Sequence, residues 1–195
     1  MIHKLSRRIS LVFILYGESS NEDADIYTYA FEAILSVLFN IILGIVIAFI
    51  FGSTLEGIIF MSTFALLRRF TGGYHANTHF KCILTFGIIL TCSMLIISFI
   101  STFHIGIFIA FFLAAIAWLG IVALAPLEDK NKIYKDEARA KLKRKCIMVS
   151  TFLLVLCVVA GLAVNTSVAL VLSLAMFSVF GSMICAIVDR RIAVK

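Results

Sequence analysis

Long stretches without a charged side chain constrain this chain more than any other feature of its sequence. Ala33–Leu55 carries no Asp, Glu, Lys or Arg over 23 residues, and Cys82–Leu127 has none either. A run of about 20 apolar residues is long enough for a helix to cross the hydrocarbon core of a bilayer. Hydrophobic residues make up 62% of the chain and charged residues 14%, whereas soluble domains carry roughly 45–50% and about 25%. The sequence therefore predicts an all-α integral membrane protein.

The order of apolar and polar segments predicts about six transmembrane helices in a single polytopic domain, 1–195. The predicted spans are Ala33–Leu55, a segment around Gly57–Leu67, two helices that divide Cys82–Leu127 near residues 101–104, Cys146–Val164 and Ser167–Val188. The 11 residues of Gly57–Leu67 are too few alone. They reach spanning length only if Gly52–Glu56 and the stems of Arg68 and Arg69 belong to the same helix; a re-entrant segment is the alternative. Pro126, the only proline, is expected to follow the end of the fourth span.

The first 29 residues are predicted to form a cytoplasmic interfacial region. Residues 2–16 place apolar side chains on one helical stripe, with Lys4, Arg7 and Arg8 away from it, which is typical of a short helix lying on the inner leaflet. The same basic patch before Ile9–Tyr16 resembles a signal peptide, but no small-residue cleavage pattern follows it.

The positions of the basic residues predict which side of the membrane each loop faces. All 17 Lys and Arg residues lie in the N-terminal region, in 68–81, in 128–145 or in the tail after Asp189. The three intervening loops of a six-span arrangement have none. By the positive-inside rule both termini, 68–82 and 128–145 then face the cytoplasm. The net charge of +6 thus favours an inner leaflet and acidic partners rather than nucleic acid.

The segment 68–82 is the polar part of the chain that carries the groups needed for catalysis. Cys82 follows His75 by seven positions and begins an apolar run, so it is expected in the first turn of the third span, where the helix dipole favours an anion. Cysteine attacks as the thiolate, which requires a base and nearby positive charge. His75 can serve as the base, and Arg68 and Lys81 supply charge. The backbone N–H groups of Gly72 and Gly73 are candidates to bind the oxyanion.

These residues resemble the signature of a known family. Arg68, Gly73, His75-Ala76 and Cys82, with six residues between the histidine and the cysteine, look like the motif of the accessory gene regulator B (AgrB) family. The resemblance implies a membrane cysteine endopeptidase of bacterial quorum sensing, located in the cytoplasmic membrane with its active site facing the cytoplasm. It implies that Cys82 is the nucleophile and His75 its base, without a cofactor. The implied substrate is a small propeptide of the accessory gene regulator D type, which loses its acidic C-terminal tail and becomes a thiolactone.

Other interpretations of the same segment stay open. His75, His79 and Cys82 stand at i, i+4 and i+7, so on a helix they could bind zinc, although a fourth ligand is missing and no metal is predicted. The segment could instead be a structural polar loop in a membrane scaffold. The main alternative function is a small transporter or export protein without peptidase activity. Ion-coupled transport usually needs ionisable residues at membrane depth, and the spans offer few.

The basic loop 128–145 has two interpretations that are compatible with each other. It can anchor the protein to the anionic inner leaflet, so that the lipid bilayer is one partner. It can also bind an acidic propeptide tail, with Lys141, Lys143, Arg144 and Lys145 as candidate contacts. A homodimer is a further predicted assembly.

Overall fold

A computed structural model describes residues 6–10, 24–72, 79–100, 105–127, 136–163 and 165–193, and within these ranges the chain is almost entirely helical. Residues 6–10 are helical, and six long helices follow: α1 (Ala24–Ile50), α2 (Thr54–Thr71), α3 (His79–Ile100), α4 (Gly106–Leu124), α5 (Asp136–Ala163) and α6 (Thr166–Ala193). The predicted all-α integral membrane fold is confirmed.

Five of these helices are long and apolar enough to cross a membrane, namely α1, α3, α4, α5 and α6. The other one, α2, has 18 residues and includes Glu56, Arg68 and Arg69. At 1.5 Å per residue it is about 27 Å long, close to the thickness of a hydrocarbon core of about 30 Å. It therefore includes both charged flanks, Glu56 near its start and Arg68 and Arg69 at its end, which a second span needs to reach this length. The count of six spans and the placement of both termini in the cytoplasm stay predictions.

Helix α6 lies at the centre of the bundle. It packs against α2, α3, α4 and α5, and the residues from Ala169 to Met176 are almost completely buried. More than half of the apolar stretch of α6 is buried inside the bundle, compared with 17–28% of the corresponding stretch in the other four candidate spans. A helix that is apolar on every side is typical of a buried position, and α2, α3, α4 and α5 surround α6.

Small side chains allow the helices to approach closely. Ala110, Ala114 and Ala117 form a fully buried stripe along α4, the helix that packs against both α5 and α6. At Gly120 a Cβ atom would clash with the ring of Phe180 in α6. Such small-residue stripes are common where membrane helices meet. A hydrogen bond of 2.9 Å from Trp118 Nε1 to Thr151 Oγ1 also joins α4 to α5.

Several predicted boundaries differ from the observed ones. The first span was expected to run to Leu55, but α1 begins at Ala24 and ends at Ile50, where Gly52 turns the chain with φ 64°. The last six residues of the predicted interfacial region 1–29 belong to α1. Helix α5 begins at Asp136, so the second half of the predicted loop 128–145 is helical. Residues 11–23, 101–104 and 128–135 lie outside the described part of the chain.

Candidate functional site

The carboxyl end of α2 places two positive charges beside the segment predicted to be catalytic. Arg68 and Arg69 lie in the last turn of α2, and the N–H of Gly72 closes the helix by donating to the Arg68 carbonyl at 3.2 Å. Cations are favoured there because the free carbonyl groups of a helix end carry partial negative charge. Arg69 is exposed and Arg68 half-buried, so only Arg68 lies against the bundle.

Gly72 holds this end of α2 against the connection between α4 and α5. The N–H of Leu127 donates to the Thr71 carbonyl at 3.0 Å. A Cβ atom on Gly72 would come within 2.6 Å of the Leu127 carbonyl oxygen. The candidate catalytic segment is thereby joined through the backbone to the chain that leads into α5. Since the N–H of Gly72 already bonds to Arg68, it is not free to bind an oxyanion in this arrangement.

Cys82 lies in the first turn of α3 with its side chain half-buried. The first N–H groups of a helix have no partner within the helix, and they favour negative charge nearby. Lys81, the preceding residue, is exposed. The thiol is thus partly accessible at the start of a helix.

The Arg68 guanidinium is close enough to Cys82 for the charges of the two groups to interact. Burial lowers the pKa of Arg68, and the Coulombic interaction with Cys82 acts in the opposite direction. The guanidinium carbon also lies 5.7 Å from the centre of the Phe64 ring, one helical turn earlier. The sequence indicated Arg68 and Lys81 as the charges near Cys82. It did not identify Phe64, although an aromatic residue four positions before an arginine is a recognisable helical signal.

The other predicted members of the site fall outside the described residues. Gly73 and His75 belong to 73–78, and nothing is described of the side chain of His79. Pairing of Cys82 with His75 therefore stays a prediction. Among the described residues no group of three His, Cys, Asp or Glu side chains could hold a metal ion. Because His75 and the side chain of His79 are not described, the zinc alternative also stays open.

The remaining cysteines differ from Cys82 in their surroundings. Cys146 and Cys157 are completely buried, and the Cys157 thiol donates to the Ala169 carbonyl at 3.4 Å. Cys92 and Cys185 are exposed, but both lie within apolar candidate spans. A buried structural cysteine is inert. Cys82 is the cysteine of the described chain that combines a helix start with a neighbouring fixed charge.

The basic residues proposed for tail binding stand on the first turns of α5. Lys141, Lys143, Arg144 and Lys145 are all exposed. A cavity of about 270 Å³ lies between the end of α4 and the start of α5, and it is lined by Ala123, Leu124, Ala125, Pro126, Asp136, Arg139, Ala140 and Lys143. A second, open cavity of about 510 Å³ runs along α5 past Lys143, Arg144 and Ile147. Lys143 lines both. Arg139 and Asp136 were not predicted, because the segment was interpreted as a loop.

Together these features define a class of protein: a multi-pass helical membrane protein with an accessible thiol beside an arginine at the start of a helix. The family model described as "Accessory gene regulator B" matches residues 6–187. The chain therefore belongs to the AgrB family, and the resemblance noted from the sequence is confirmed. The family is associated with peptide processing in accessory gene regulator quorum sensing.

Two relatives from Clostridium perfringens are similar to the chain. A protein of strain SM101 (Type A), provisionally named AgrB-like, is 31% identical over 149 residues, which is 74% of this chain and 70% of the relative. A second provisionally named AgrB-like protein, from strain 13 (Type A), is 29% identical over the same shares. No solved structure gives a significant match.

Proposed function

We propose that the chain is a membrane cysteine endopeptidase that removes the C-terminal tail of a small quorum-sensing propeptide and promotes closure of a thiolactone. One observation carries the proposal: the half-exposed Cys82 thiol at the start of α3 interacts with the charge of Arg68. A positive charge and a helix N-terminus both favour the thiolate, which is the attacking form of cysteine. Membership of the AgrB family supports the same assignment.

In the first step the Cys82 sulfur attacks the carbonyl carbon of the peptide bond that precedes the tail. His75 accepts the thiol proton and later gives it to the leaving nitrogen. The C–N bond breaks, the tail departs as an amine, and the rest of the propeptide stays bound to Cys82 as a thioester. Gly73 is the proposed donor to the oxyanion, since the N–H of Gly72 already bonds to Arg68.

In the second step a cysteine thiol of the propeptide attacks this thioester. Its proton passes through His75 to the departing Cys82 sulfur, so the enzyme is regenerated as one thioester replaces another. This exchange needs no external energy. The first step converts an amide into a thioester and is unfavourable, so removal of the products must draw it forward.

The basic face of α5 is the proposed binding site for the acidic tail. Lys141, Lys143, Arg144 and Lys145 are exposed at the same end of the bundle as α2's carboxyl end, to which the chain before α5 is joined by the bond from Leu127 to Thr71. Complementary charge would steer an acidic tail to this face and fix its register. We place this end of the bundle in the cytoplasm, as the distribution of the basic residues predicts.

The proposal is tested with the purified full-length protein in liposomes and a synthetic propeptide with an acidic tail. Cys82→Ala and Cys82→Ser should both reduce tail release to background. A band or mass corresponding to an acyl-enzyme should be absent from Cys82→Ala, because the thioester forms on that sulfur.

Cys92→Ala provides the matched control, since it removes an exposed cysteine from the same helix and should retain cleavage. Tail release by Cys82→Ala at the wild-type rate would refute the proposed mechanism. Product masses separate the two fates of the acyl group: the thiolactone is lighter than the linear hydrolysis product by one water.

A further inference from the structure

An aromatic contact joins α2 to α3 one turn away from the Arg68–Cys82 pair. The rings of Phe64 in α2 and Phe86 in α3 lie 5.6 Å apart at an interplanar angle of 55°. Phe64 is buried and is also stacked on Phe60, with ring centres 6.1 Å apart. Tilted and offset rings at these distances attract each other beyond the burial of their surface.

The helical repeat relates this contact to the candidate site. Arg68 follows Phe64 by four residues, and Cys82 precedes Phe86 by four. One turn therefore separates each member of the aromatic pair from a member of the polar pair on the same face of its helix. Since α2 ends and α3 begins at the same end of the bundle, Arg68 lies level with Cys82 when Phe64 lies level with Phe86.

The aromatic contact also restrains the arginine directly. The guanidinium of Arg68 lies over the Phe64 ring, an arrangement in which the negative ring face attracts the cation. Along their length α2 and α3 contact each other at few points, while each packs more extensively against α1. The contact of Phe64 with Phe86 is a direct contact between α2 and α3, and it lies one turn from the site.

We infer that Phe64 and Phe86 are positioning residues that hold the Arg68 guanidinium beside the Cys82 thiol. Phe86 fixes the Phe64 ring, and the ring face limits the directions in which Arg68 can extend. Replacement of either ring by an aliphatic side chain would leave the charge on α2 but release it from Cys82. The inference deepens the proposed function by naming residues that prepare the nucleophile without touching the substrate.

The test measures alkylation of Cys82 by iodoacetamide as a function of pH, with the modified peptide quantified by mass spectrometry in the full-length protein. In wild type the rate should reach half its maximum at a lower pH than in Arg68→Gln. Because Arg68→Gln removes a positive charge that favours the attacking thiolate, it should react at least about threefold more slowly than wild type at pH 7. Phe64→Leu and Phe86→Leu should move the midpoint in the same direction, with rates at least about threefold below wild type at pH 7.

Several features of the profile separate positioning from general loosening of the fold. At pH 10 the rates of all variants should converge, since access to the thiol is unchanged. Phe86→Tyr retains the ring and should restore the wild-type midpoint. Phe86→Leu combined with Arg68→Gln should be no slower than Arg68→Gln alone, because both changes remove the same interaction. Phe180→Leu alters a ring of α6 that packs against Gly120 of α4 and should leave the profile unchanged.

The charges around Cys82 are controlled in the same experiment. Lys81 and Arg69 are exposed, so Lys81→Gln and Arg69→Gln serve as comparisons for loss of a nearby exposed charge. A wild-type midpoint in both Phe64→Leu and Phe86→Leu would overturn the inference. That result is distinct from failure of the proposed function, since retained propeptide cleavage by Cys82→Ala would refute the mechanism while the alkylation profile still reported on the position of Arg68.

Discussion

Two independent features restrict position 72 to glycine, namely its backbone conformation and its contact with Leu127. Its φ of 71° and ψ of −155° fall in a region that is essentially limited to glycine. A side chain there would also meet the Leu127 carbonyl oxygen. The sequence pointed to Gly72 as a break before the catalytic segment and as an oxyanion donor. Its observed role is to end α2 and to join it to the chain before α5.

Gly72→Ala should therefore destabilise the protein and reduce cleavage together. Strain of this kind costs about 1–3 kcal/mol, and the clash with Leu127 adds to it, so the thermal unfolding midpoint in detergent should fall. Gly181→Ala is the matched control, because an added Cβ there has no atom within 4 Å and alanine favours the helix by about 0.5–1 kcal/mol. Equal midpoints for Gly72→Ala and wild type would contradict this account of the α2 terminus.

For single residues, the position of a side chain within its own helix could be predicted. Which residues of different helices lie close together could be predicted only in part. Cys82 was expected in the first turn of its helix because an apolar run begins there, and α3 begins at His79. The proximity of Arg68 and Cys82 followed from the short connection between two spans. The spacing of Phe64 and Arg68 was a signal for their contact, but the contact of Phe64 with Phe86 could not be inferred, because a phenylalanine in an apolar run is indistinguishable from one that faces lipid.

Helix α5 differs from its predicted extent because hydropathy and helix formation are separate properties. The segment before Cys146 is charged, so a hydropathy argument ends the span there, yet its Ala, Leu, Lys and Arg residues are strong helix formers. Asp136 and Glu137 lie in the first turn, where acidic side chains favour a helix start. The helix therefore begins about three turns before the apolar segment, and the basic residues stand on a helix rather than on a loop.

This placement leads to a prediction for the basic face of α5. Changing Lys141, Lys143, Arg144 and Lys145 together to Gln should raise the KM for an acidic propeptide about tenfold at low salt, with a smaller effect on kcat. Exposed charges act through a screened field whose range is about 10 Å at 0.1 M salt, so the difference from wild type should shrink as salt increases. Steady-state cleavage at several salt concentrations measures this.

Changing the exposed Arg7 and Arg8 to Gln is the control for a general loss of basic charge, and the KM should then stay near the wild-type value. If the α5 variant has an unchanged KM at every salt concentration, the face serves only to anchor the protein to the leaflet.

At the scale of the molecule, the order of the apolar helices in the described chain could be predicted, but the central helix could not. Uncharged runs define each apolar helix, and α3 ends at Ile100 and α4 begins at Gly106, on either side of the expected division. Hydropathy does not distinguish one apolar helix from another. Composition therefore could not show that α6 packs against four neighbours while α1 is largely exposed. Which apolar faces are buried is decided by how the helices fit together, including contacts such as Gly120 with Phe180.

The membrane topology of α2 gives the last prediction. Six spans place the turn at Ser53 and the turn at Asn165 outside the cell and Glu137 inside, with both termini in the cytoplasm. Should α2 not cross, an odd number of spans would separate the termini. In a Cys82→Ser background, Ser53→Cys and Asn165→Cys should react with a membrane-impermeant maleimide on intact cells, whereas Glu137→Cys should react only after permeabilisation. Labelling of Glu137→Cys from outside, or of Ser53→Cys only after permeabilisation, would contradict six spans and would remove the reason for placing the thiol on the cytoplasmic face.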